Sequence, residues 1–497
     1  MSSTPTLESP KPGCPIPGPS AAPPPPERGS TLERRKLPGL PHSLPYYAFK
    51  PWVKLGNPIL LFEYLLKTFG NIAHYRFMGT PIVFINDPDY IREVLVTQGS
   101  AFVKERTVRR MKVLLGEGLI TSDNPIHMRQ RKIAAPAFHR QRIAAYGDQI
   151  VSIAAGHRDR WQPGATIDIA AESMALSLEI VARTLFNTEV TPDILAINDE
   201  VNTIMGLYNF IVAFPKIESF LHLPIPGIMK FRRSKARLDA VVNRLITEHR
   251  AAAAAGEPDR GDLLSMLLAS TYEADESGNT QPAGSSPEGM SDDQVRDEVL
   301  TIFLAGYETV ANALTWTWYL LSQNPEVEAR LHAELDAVLG TGADQRLPTL
   351  ADYPNLHYTE QVFAESMRLY PPAWAMGRMS TREIQLGPYT VPAGSHVFFS
   401  QYILGRTPEY FPDPLRFDPD RFTPEAKAAR PKYTYFPFGG GSRQCIGESF
   451  AWMEGVFSIA TIAQRFRPRF VPTYPIVLQP KITLRPKYPV MMELVPR

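Results

Sequence analysis

One segment of the chain predicts a very long helix enclosed by protein. Ser291 and Gln294 have the spacing of a capping box, and the following acidic residues suit the positive end of a helix dipole. No proline follows until Pro325, so the segment predicts a helix of about 30 residues, some 45 Å long at 1.5 Å per residue. Its middle, VLTIFLAGYETVANALTW, is apolar on nearly every face. We therefore expect this helix to cross a whole domain inside its core.

The same helix carries two residues that are each expected to destabilise a buried helix. Gly306 in mid-helix costs up to about 1 kcal/mol relative to alanine, and Glu308 places a carboxylate in the interior. One interpretation is a functional site, in which Gly306 lets another group approach and Glu308 with Thr309 conducts protons. The alternative is a tightly packed helix crossing with one satisfied polar pair. The helix alone leaves both interpretations open.

Composition excludes several function classes. With 52 basic and 51 acidic residues, the net charge of +1 gives no overall attraction to nucleic acid or to an anionic membrane. Two cysteines, Cys14 and Cys445, cannot build a disulfide framework, a four-cysteine zinc site or an iron-sulfur cluster. No apolar run reaches the roughly 18 to 20 residues of a membrane span, and no secretory signal is visible. We expect a soluble, cytoplasmic protein with no stable membrane anchor and at most transient membrane contact.

The chain divides into two parts of different character. Residues 1–37 form a leader with ten prolines among the first 26 residues, typical of disorder or polyproline II structure. Residues 38–497 read as one domain, in which helical patterns dominate. Strand-like alternation appears at 72–86, at 384–400 and near the C-terminus. The predicted class is mainly α with small β-sheets (α+β), and the polar run 272–290 is typical of a surface loop.

The stretch FPFGGGSRQCIGESF combines three consecutive glycines with a cysteine. Phosphate-binding glycine loops need the spacings G-x-G-x-x-G or G-x-x-x-x-G-K-S/T, and neither occurs in the chain. The pattern present is F-x-x-G-x-R-x-C-x-G. It is filled by Phe438, Gly441, Arg443, Cys445 and Gly447. Five fixed positions in ten residues favour a socket around one thiolate.

Two charged pairs lie at helical spacing. Glu365 and Arg368 are three residues apart, and His127 and Arg131 are four apart, so each pair shares one helix face. Pairs of this kind are common on exposed helix faces and then contribute little to stability. Their meaning depends on the other motifs.

Taken together, four motifs resemble the cytochrome P-450 superfamily of haem-thiolate monooxygenases. They are the cysteine loop, A-G-x-E-T at 305–309, E-x-x-R at 365–368 and FDPDRF at 417–422. The resemblance runs from about residue 38 to the C-terminus. It implies the cytochrome P-450 fold with the long helix over haem b (iron protoporphyrin IX). It also makes Cys445 the axial ligand of the haem iron.

The resemblance implies roles for residues on the cysteine side of the haem. The Cys445 thiolate would push electron density onto the iron, with the backbone at Gly447 tuning the sulfur and Phe438 covering it. The haem propionates would be met by basic side chains. These are Arg443, Arg131, Arg378 and His127.

On the opposite side, Thr309 would position a hydrogen bond to dioxygen, Glu308 would relay protons, and Gly306 would leave room for dioxygen and substrate. Glu365, Arg368 and Arg421 resemble a buried salt-bridge triad that supports the cysteine loop. The implied pocket walls are mainly apolar. They are Ile302, Phe303, Ala305, Trp374, Ala375 and Ile482. Such walls favour a lipophilic substrate, for example a fatty acid, terpenoid or polyketide-like molecule.

The implied reaction inserts one atom of O2 into such a substrate. The chain has no flavin or nicotinamide fingerprint, so the electrons are expected from a separate ferredoxin, flavodoxin or flavin reductase. Two alternatives are a haem-thiolate enzyme that uses peroxide or rearranges an oxygenated substrate, and a haem sensor without turnover. The presence of Glu308 and Thr309 favours the monooxygenase.

Overall fold

The structure is a computed structural model. It describes residues 35–50, 53, 57–189, 200, 201, 203, 204, 207, 223–256, 262–269 and 290–497. The predicted leader and the predicted loop at 272–290 lie almost wholly outside these ranges, and both stay predictions. The first described residue, Arg35, pairs with Tyr389 through a bridge in which the Arg35 amide donates to the Pro388 carbonyl (2.9 Å).

Helices dominate the described residues, as the predicted fold class requires. The longer ones are Ile59–Phe69, Arg140–Arg160, Ile169–Leu185, Pro226–Ala254, Asp292–Gln323, Pro325–Leu339, His357–Leu369 and Glu448–Ala463. The shorter ones are Pro88–Arg92, Arg106–Arg110, Lys112–Leu115, Ile126–Ala134, Leu263–Ala269, Gln401–Leu404 and Pro424–Ala429. None of the helices within these ranges combines the length and the apolar character needed to span a membrane.

The strands of the described residues form four small sheets. The largest has six strands in the spatial order Gly39–Ser43, Ile72–Phe77, Thr80–Ile85, His396–Phe399, Met376–Ser380 and Phe102–Lys104. A three-stranded sheet has the order Phe466–Phe470, Met491–Pro496 and Thr166–Asp168. Two hairpins complete the set, Leu478–Pro480 with Leu484–Pro486 and Ile384–Leu386 with Tyr389–Val391. The strand patterns predicted at 72–86 and 384–400 are therefore confirmed.

The long helix Asp292–Gln323, called the central helix below, confirms the first prediction. Ser291 and Gln294 form the capping box, and Pro325 opens the next helix after Asn324. Most side chains of the central helix are buried, and it packs along the helix Ile169–Leu185. A Cβ on Gly306 would meet Val181 at 3.1 Å, so the glycine permits this close approach of two helices.

Two helices in the C-terminal half hold the cysteine loop in place. His357–Leu369 and Glu448–Ala463 cross so closely that a Cβ on Gly455 would lie 2.3 Å from the Phe363 ring. The Tyr435 hydroxyl, just before the loop, donates to the Ala364 carbonyl (3.0 Å). The loop therefore sits between two anchored helices.

Candidate active site

The cysteine loop has a backbone shape that requires glycine. Gly439 and Gly441 have φ values of +74° and +69°, in the left-handed region that side chains disfavour. A Cβ on Gly441 would also lie 2.0 Å from the Leu95 carbonyl oxygen. The Cys445 amide donates to the Phe438 carbonyl (2.9 Å), which closes the loop. These contacts fix the position of the cysteine.

The Cys445 thiol is accessible although protein surrounds it. Cys445 is exposed, and the protein packed around its thiol raises the pKa of that group to about 11. The Gly447 amide donates to the sulfur and opposes this shift because it favours the thiolate. The predicted backbone contact to the sulfur is thus present.

Aromatic rings connect this loop to the helix behind it. The Phe438 ring lies 5.7 Å from the Trp452 ring, and the Trp452 ring lies 5.6 Å from the Phe363 ring. Phe363 belongs to the same helix as Glu365 and Arg368. These ring contacts connect that helix to Phe438, the residue predicted to cover the thiolate.

Basic side chains crowd together beside the loop. Lys104 and Arg378 stand opposite each other in paired strands, and Arg378 is buried while Lys104 is half-buried. Burial, reinforced by Arg378 and Arg443, holds the pKa of Lys104 well below its usual range. Burial and then Arg443 lower the pKa of Arg378 to about 10. The cluster is therefore a concentration of mutually repelling cations.

His127 belongs to this cluster and lacks a partner for one of its ring nitrogens. Its side chain is buried, and Nδ1 has no hydrogen-bond partner among the described residues. Burial, followed by the charges of Arg443, Lys104 and Arg131, lowers the pKa of His127 to about 3. Its ring is therefore neutral near pH 7 in the structure as it stands.

Two carboxylates face the cluster and do not balance it. Asp123 accepts from the Lys104 amide (2.9 Å) and lies 3.5 Å from Arg443 Nη2 and 3.0 Å from Arg109 Nη2. Burial raises the pKa of the other, Glu105, against the opposing hydrogen bonds from Thr107 and Val108. The site has a surplus of positive charge.

The remaining predicted basic residue touches the cysteine loop. Arg131 Nη1 donates to the Gln444 carbonyl (2.7 Å), and Arg443 Nη1 donates to the Ser122 carbonyl (2.6 Å). The structure thus gathers all four predicted basic residues near the loop. Lys104 and Asp123 were missed by the sequence analysis, because only the pairing of their strand or loop with distant segments places them there.

On the central helix, the side chains of Glu308 and Thr309 lie in different surroundings. The half-exposed Thr309 donates its hydroxyl to the Ala305 carbonyl (2.8 Å). Glu308 is buried, and its Oε1 accepts from the Thr483 hydroxyl and from Arg485 Nε (2.9 Å). Arg485 Nη2 lies 2.6 Å from the same oxygen. The carboxylate is thus held against the C-terminal hairpin, and Arg485 is a further residue that sequence analysis missed.

The predicted pocket walls fall into two groups. Ala305, Ala375 and Ile482 are half-buried, whereas Ile302, Phe303 and Trp374 are buried. Phe303 packs in the core against Phe186 and Tyr307. The Trp374 ring is tilted against the Phe62 ring (6.2 Å between centroids), and its Nε1 donates to the Lys481 carbonyl (2.9 Å). The assignment of these three buried residues to the pocket stays a prediction.

Phe303 and Trp374 were assigned to the pocket only because the resemblance to the P-450 superfamily implied it. Phe303 follows Ile302 on a helix and is therefore turned by about 100°, toward the neighbouring helix. Trp374 lies under the six-stranded sheet, in a core cluster with Phe62 and Phe84. The bulk of both rings supports the core.

The predicted triad is confirmed as a buried salt-bridge group. Arg368 Nε and Nη2 donate to the two oxygens of Glu365 (2.6 and 2.7 Å), and both side chains are fully buried. Arg421 Nε lies 3.5 Å from Glu365 Oε1, which also accepts from the Asp418 amide (2.9 Å). The interpretation as an exposed pair is wrong here.

A separate cleft of about 580 Å³ lies elsewhere on the molecule, and none of the predicted site residues lines it. Arg465 and Arg497 on its walls already face Asp159 (3.4 Å) and Asp336 (2.5 Å). Its charges are therefore satisfied within the chain. The chemistry of the cysteine loop and the central helix defines the candidate site better than this opening does.

The sequence profile of the cytochrome P450 family matches residues 38–493, and the chain belongs to this family. Cyclooctatin synthase of Streptomyces melanosporofaciens is 38% identical over 84% of this chain and 87% of its own length. Pentalenene oxygenase of Streptomyces avermitilis is 33% identical over 88% of this chain and 90% of its own. The protein is therefore an enzyme of the P450 monooxygenase class.

Solved structures support the same fold. A cyanobacterial P450 bound to retinoic acid matches with a TM-score of 0.75 at 24% identity, covering 93% of this chain and 99% of the other. The haem domain of cytochrome P450DA matches with a TM-score of 0.78 at 22% identity, covering 93% and 98%. The predicted fold class is confirmed.

The family implies a haem cofactor, and the described residues fit one. A haem brings an iron that accepts a thiolate and two propionates that carry negative charge. Cys445 offers an accessible sulfur in a fixed loop. Two propionates would neutralise the surplus of positive charge. They would also provide a hydrogen-bond partner for His127 Nδ1, which has none among the described residues.

Replacing Arg378 by Met is expected to act in opposite directions on the haem-free and haem-loaded protein. Without haem, the change removes a buried cation repelled by Arg443, so the urea midpoint stays the same or rises. With haem, a propionate partner is lost, and haem transfer to excess apomyoglobin accelerates by about 10- to 100-fold. Urea titration and the transfer rate measure the two effects.

The control is Lys427→Met, which breaks an exposed pair with Glu360 (3.4 Å) and leaves both quantities nearly unchanged. A lower urea midpoint for haem-free Arg378→Met, with normal haem transfer, would contradict the assignment of this cluster to haem propionates.

Proposed function

We propose that this P450 inserts one oxygen atom from O2 into a terpenoid, with electrons from a separate redox protein. The similarity over most of the chain to cyclooctatin synthase and pentalenene oxygenase carries the proposal. A third relative, cyclooctat-9-en-7-ol 5-monooxygenase of Streptomyces melanosporofaciens, is 36% identical over 82% of this chain. Its name specifies an alcohol as substrate. The apolar character of Ile302, Ala305 and Ile482 supports a lipophilic substrate for this chain as well.

On the cysteine side, Cys445 is proposed as the axial thiolate of haem b. A thiolate-bound haem supplies activation of dioxygen when it is bound. The Gly447 amide stabilises negative charge on the sulfur, and Phe438, packed against Trp452, is proposed to cover the thiolate. Arg443, Arg131, Arg378 and His127, joined by Lys104, are proposed to meet the propionates. Their surplus charge supports this role.

On the other side, Thr309 is proposed to hold and pass a proton at its hydroxyl oxygen. This hydroxyl lies on the half-exposed face and donates to the Ala305 carbonyl, so a rotation about χ1 frees it to donate elsewhere. Glu308 is proposed to act one step further from the cavity, because Arg485 and Thr483 hold its carboxylate. The half-exposed backbone at Gly306 is proposed to border the same space, while its Cβ direction faces Val181.

The proposal is tested with haem-loaded protein, pentalenene and cyclooctat-9-en-7-ol. One reaction contains NADPH with a surrogate ferredoxin and its reductase under 18O2, and a second contains hydrogen peroxide alone. A product carrying one 18O atom in the first reaction is the expected result. Product formed only with peroxide would instead identify a peroxide-using enzyme. Spin-state shifts with long-chain fatty acids and none with terpenoids would contradict the terpenoid assignment.

Thr309→Ala is expected to separate electron consumption from product formation. The variant lacks the hydroxyl proposed to deliver protons, so product formation falls at least about tenfold while NADPH consumption continues. The missing electrons are expected as hydrogen peroxide. Product, NADPH and peroxide are measured in the same reaction.

Thr317→Val provides the control, because it removes a buried hydroxyl of the same helix that donates to Ala313 (2.8 Å). Its ratio of product to NADPH is expected to equal that of the wild type. An unchanged ratio in Thr309→Ala would refute the proposed role of Thr309.

A further inference from the structure

Glu454 is a fully buried carboxyl group that has no hydrogen-bond partner. It belongs to the helix Glu448–Ala463, which begins three residues after Cys445, and its side chain is 0% exposed. Neither Oε1 nor Oε2 has a partner among the described residues. A buried carboxylate without a cation or hydrogen-bond donors is far more costly than a neutral carboxyl. The geometry therefore favours the protonated form.

The polar groups beside Glu454 are hydroxyls that lack partners as well. Ser177, on the helix Ile169–Leu185, lies close enough to affect the carboxyl, although it makes no hydrogen bond of good geometry to it. Ser458 and Thr461 follow Glu454 by four and seven residues and therefore share its helix face. All three hydroxyls are buried, and none has a partner within the described ranges. The carboxyl thus belongs to a small polar cluster that is closed off from solvent.

No charged group compensates a negative charge in this cluster. Burial raises the pKa of Glu454 to about 8, only the Ser177 hydroxyl opposes the rise, and no titratable side chain of the described residues contributes. The buried titratable groups on the elements packed against the helix are Tyr146, His157 and Arg158 on Arg140–Arg160, Arg296, Glu298, Tyr307 and Glu308 on the central helix, Tyr358, Glu365 and Arg368 on His357–Leu369, and Asp352 in the turn before it. Two other elements near it carry only charged groups that are not buried, namely Glu172, Glu179 and Arg183 on Ile169–Leu185 and Arg467 and Arg469 on Phe466–Phe470.

Glu454 lies where helices pack closely. A Cβ on Gly147, in a neighbouring helix, would lie 3.2 Å from the Phe457 ring, and a Cβ on Gly455 would lie 2.3 Å from the Phe363 ring. An ionised carboxyl has to be hydrated, and helices this close have to separate before water reaches it. Ionisation of Glu454 therefore opposes the packing of its own helix.

The same helix supports the cysteine loop. Its first residue follows Gly447, whose amide donates to the Cys445 sulfur, and its Trp452 ring contacts the Phe438 ring. A shift of the helix therefore moves groups that border the predicted axial ligand.

We propose that Glu454 is a pH-sensitive switch on haem retention. In its neutral form the carboxyl lets the helix Glu448–Ala463 pack tightly behind the cysteine loop, and in its ionised form it loosens that packing, so that haem leaves faster. The proton exchanges with solvent water when the helices open, and no other reactant is needed. This inference concerns the retention of haem, and the identity of the substrate does not enter it.

The direction of the pH effect follows from the two states of the chain. The unfolded chain releases the Glu454 proton near the ordinary glutamate pKa of about 4.3, while the folded protein keeps it up to about pH 8. The stability from this group is therefore fully present below about pH 4.3 and is lost as the pH rises toward 8. In that interval the equilibrium constant for unfolding increases by up to about tenfold for each pH unit through this one group.

The test compares the haem-loaded wild type with Glu454→Gln, which has nearly the same shape and cannot ionise. Urea midpoints and rates of haem transfer to excess apomyoglobin are measured at intervals from pH 6 to pH 9. From pH 6 to pH 8 we expect the wild-type midpoint to fall relative to that of the variant. Over the same range the wild-type transfer rate is expected to rise at least about threefold relative to the variant rate. The Cys445 thiol, the basic cluster and Glu298 are the same in both proteins, so their own titrations cancel.

Two further variants complete the design. Glu454→Leu is also uncharged, so it is expected to show the same weak pH dependence as Glu454→Gln even where its overall stability differs. Glu425→Gln removes an exposed carboxyl from the helix Pro424–Ala429 and is expected to follow the wild type at every pH.

The proposal is overturned if the midpoints and transfer rates of the wild type and Glu454→Gln keep a constant relation from pH 6 to pH 9. A pH-dependent difference in midpoints with a constant ratio of transfer rates overturns it as well, because Glu454 would then act on folding and leave the cysteine loop unaffected. Neither result contradicts terpenoid oxygenation, which is tested separately by product formation.

Discussion

Cys445→Ser is expected to abolish the haem-thiolate spectrum and to lower oxygenation by more than about a hundredfold. The sulfur is the sole thiol in the cysteine loop, and a hydroxyl is a poor donor to haem iron. Removing even an outer partner of a metal ligand commonly costs 10- to 100-fold, so losing the ligand itself costs more. The red-shifted band of the reduced carbon monoxide complex and the rate of terpenoid oxidation measure the change.

The other cysteine of the chain, Cys14, provides the control. Cys14 lies in the proline-rich segment, outside the described residues, and Cys14→Ser is expected to keep both the band and the rate. Retention of the thiolate band in Cys445→Ser, or its loss in Cys14→Ser, would mean that the axial ligand has been assigned to the wrong residue.

Arg368→Met is expected to produce the largest loss of stability. The change leaves the Glu365 carboxylate fully buried without its bidentate partner, at a cost of about 3 to 5 kcal/mol. It also removes donors from the carbonyls of Pro414 (2.8 Å) and Arg416 (3.1 Å). We expect a lower urea midpoint and, through the Phe363, Trp452 and Phe438 contacts, a smaller haem content.

Two further variants are compared with Arg368→Met. The double variant Glu365→Leu/Arg368→Met removes both charges and is expected to recover part of the loss, because no carboxylate is then stranded. Lys427→Met breaks an exposed pair with Glu360 (3.4 Å) and should cost at most about 1 kcal/mol. A loss as small in Arg368→Met as in Lys427→Met would show that the triad is dispensable.

Local patterns predicted much of this molecule. The central helix begins and ends where its capping box and Pro325 indicated, because helix ends depend on residues close in sequence. The cysteine loop was recognisable because the backbone geometry of a segment of ten residues requires its glycines. The Glu365 and Arg368 pair was visible as one helix face, but its burial followed only from the resemblance to the P450 family.

The remaining features depend on contacts between distant segments. Arg485 meets Glu308 across 177 residues, and Lys104 stands opposite Arg378 only because two short strands pair. Neither of these two contacts produces a periodic pattern in the sequence. The burial of Phe303 and Trp374 also depends on such contacts, since sequence position does not distinguish an aromatic residue beside a pocket from one in the core beneath it. Which side chain faces a cavity is decided by packing.

The hydrogen bond from the Cys445 amide to the Phe438 carbonyl has a consequence for how the enzyme acquires its cofactor. Together with the two left-handed glycines, it gives the loop a defined shape from contacts within the chain alone. The loop therefore loses its conformational entropy when the polypeptide folds, and it loses little more when haem binds. Haem capture by such a chain should be quick and should require little rearrangement of the backbone around the sulfur.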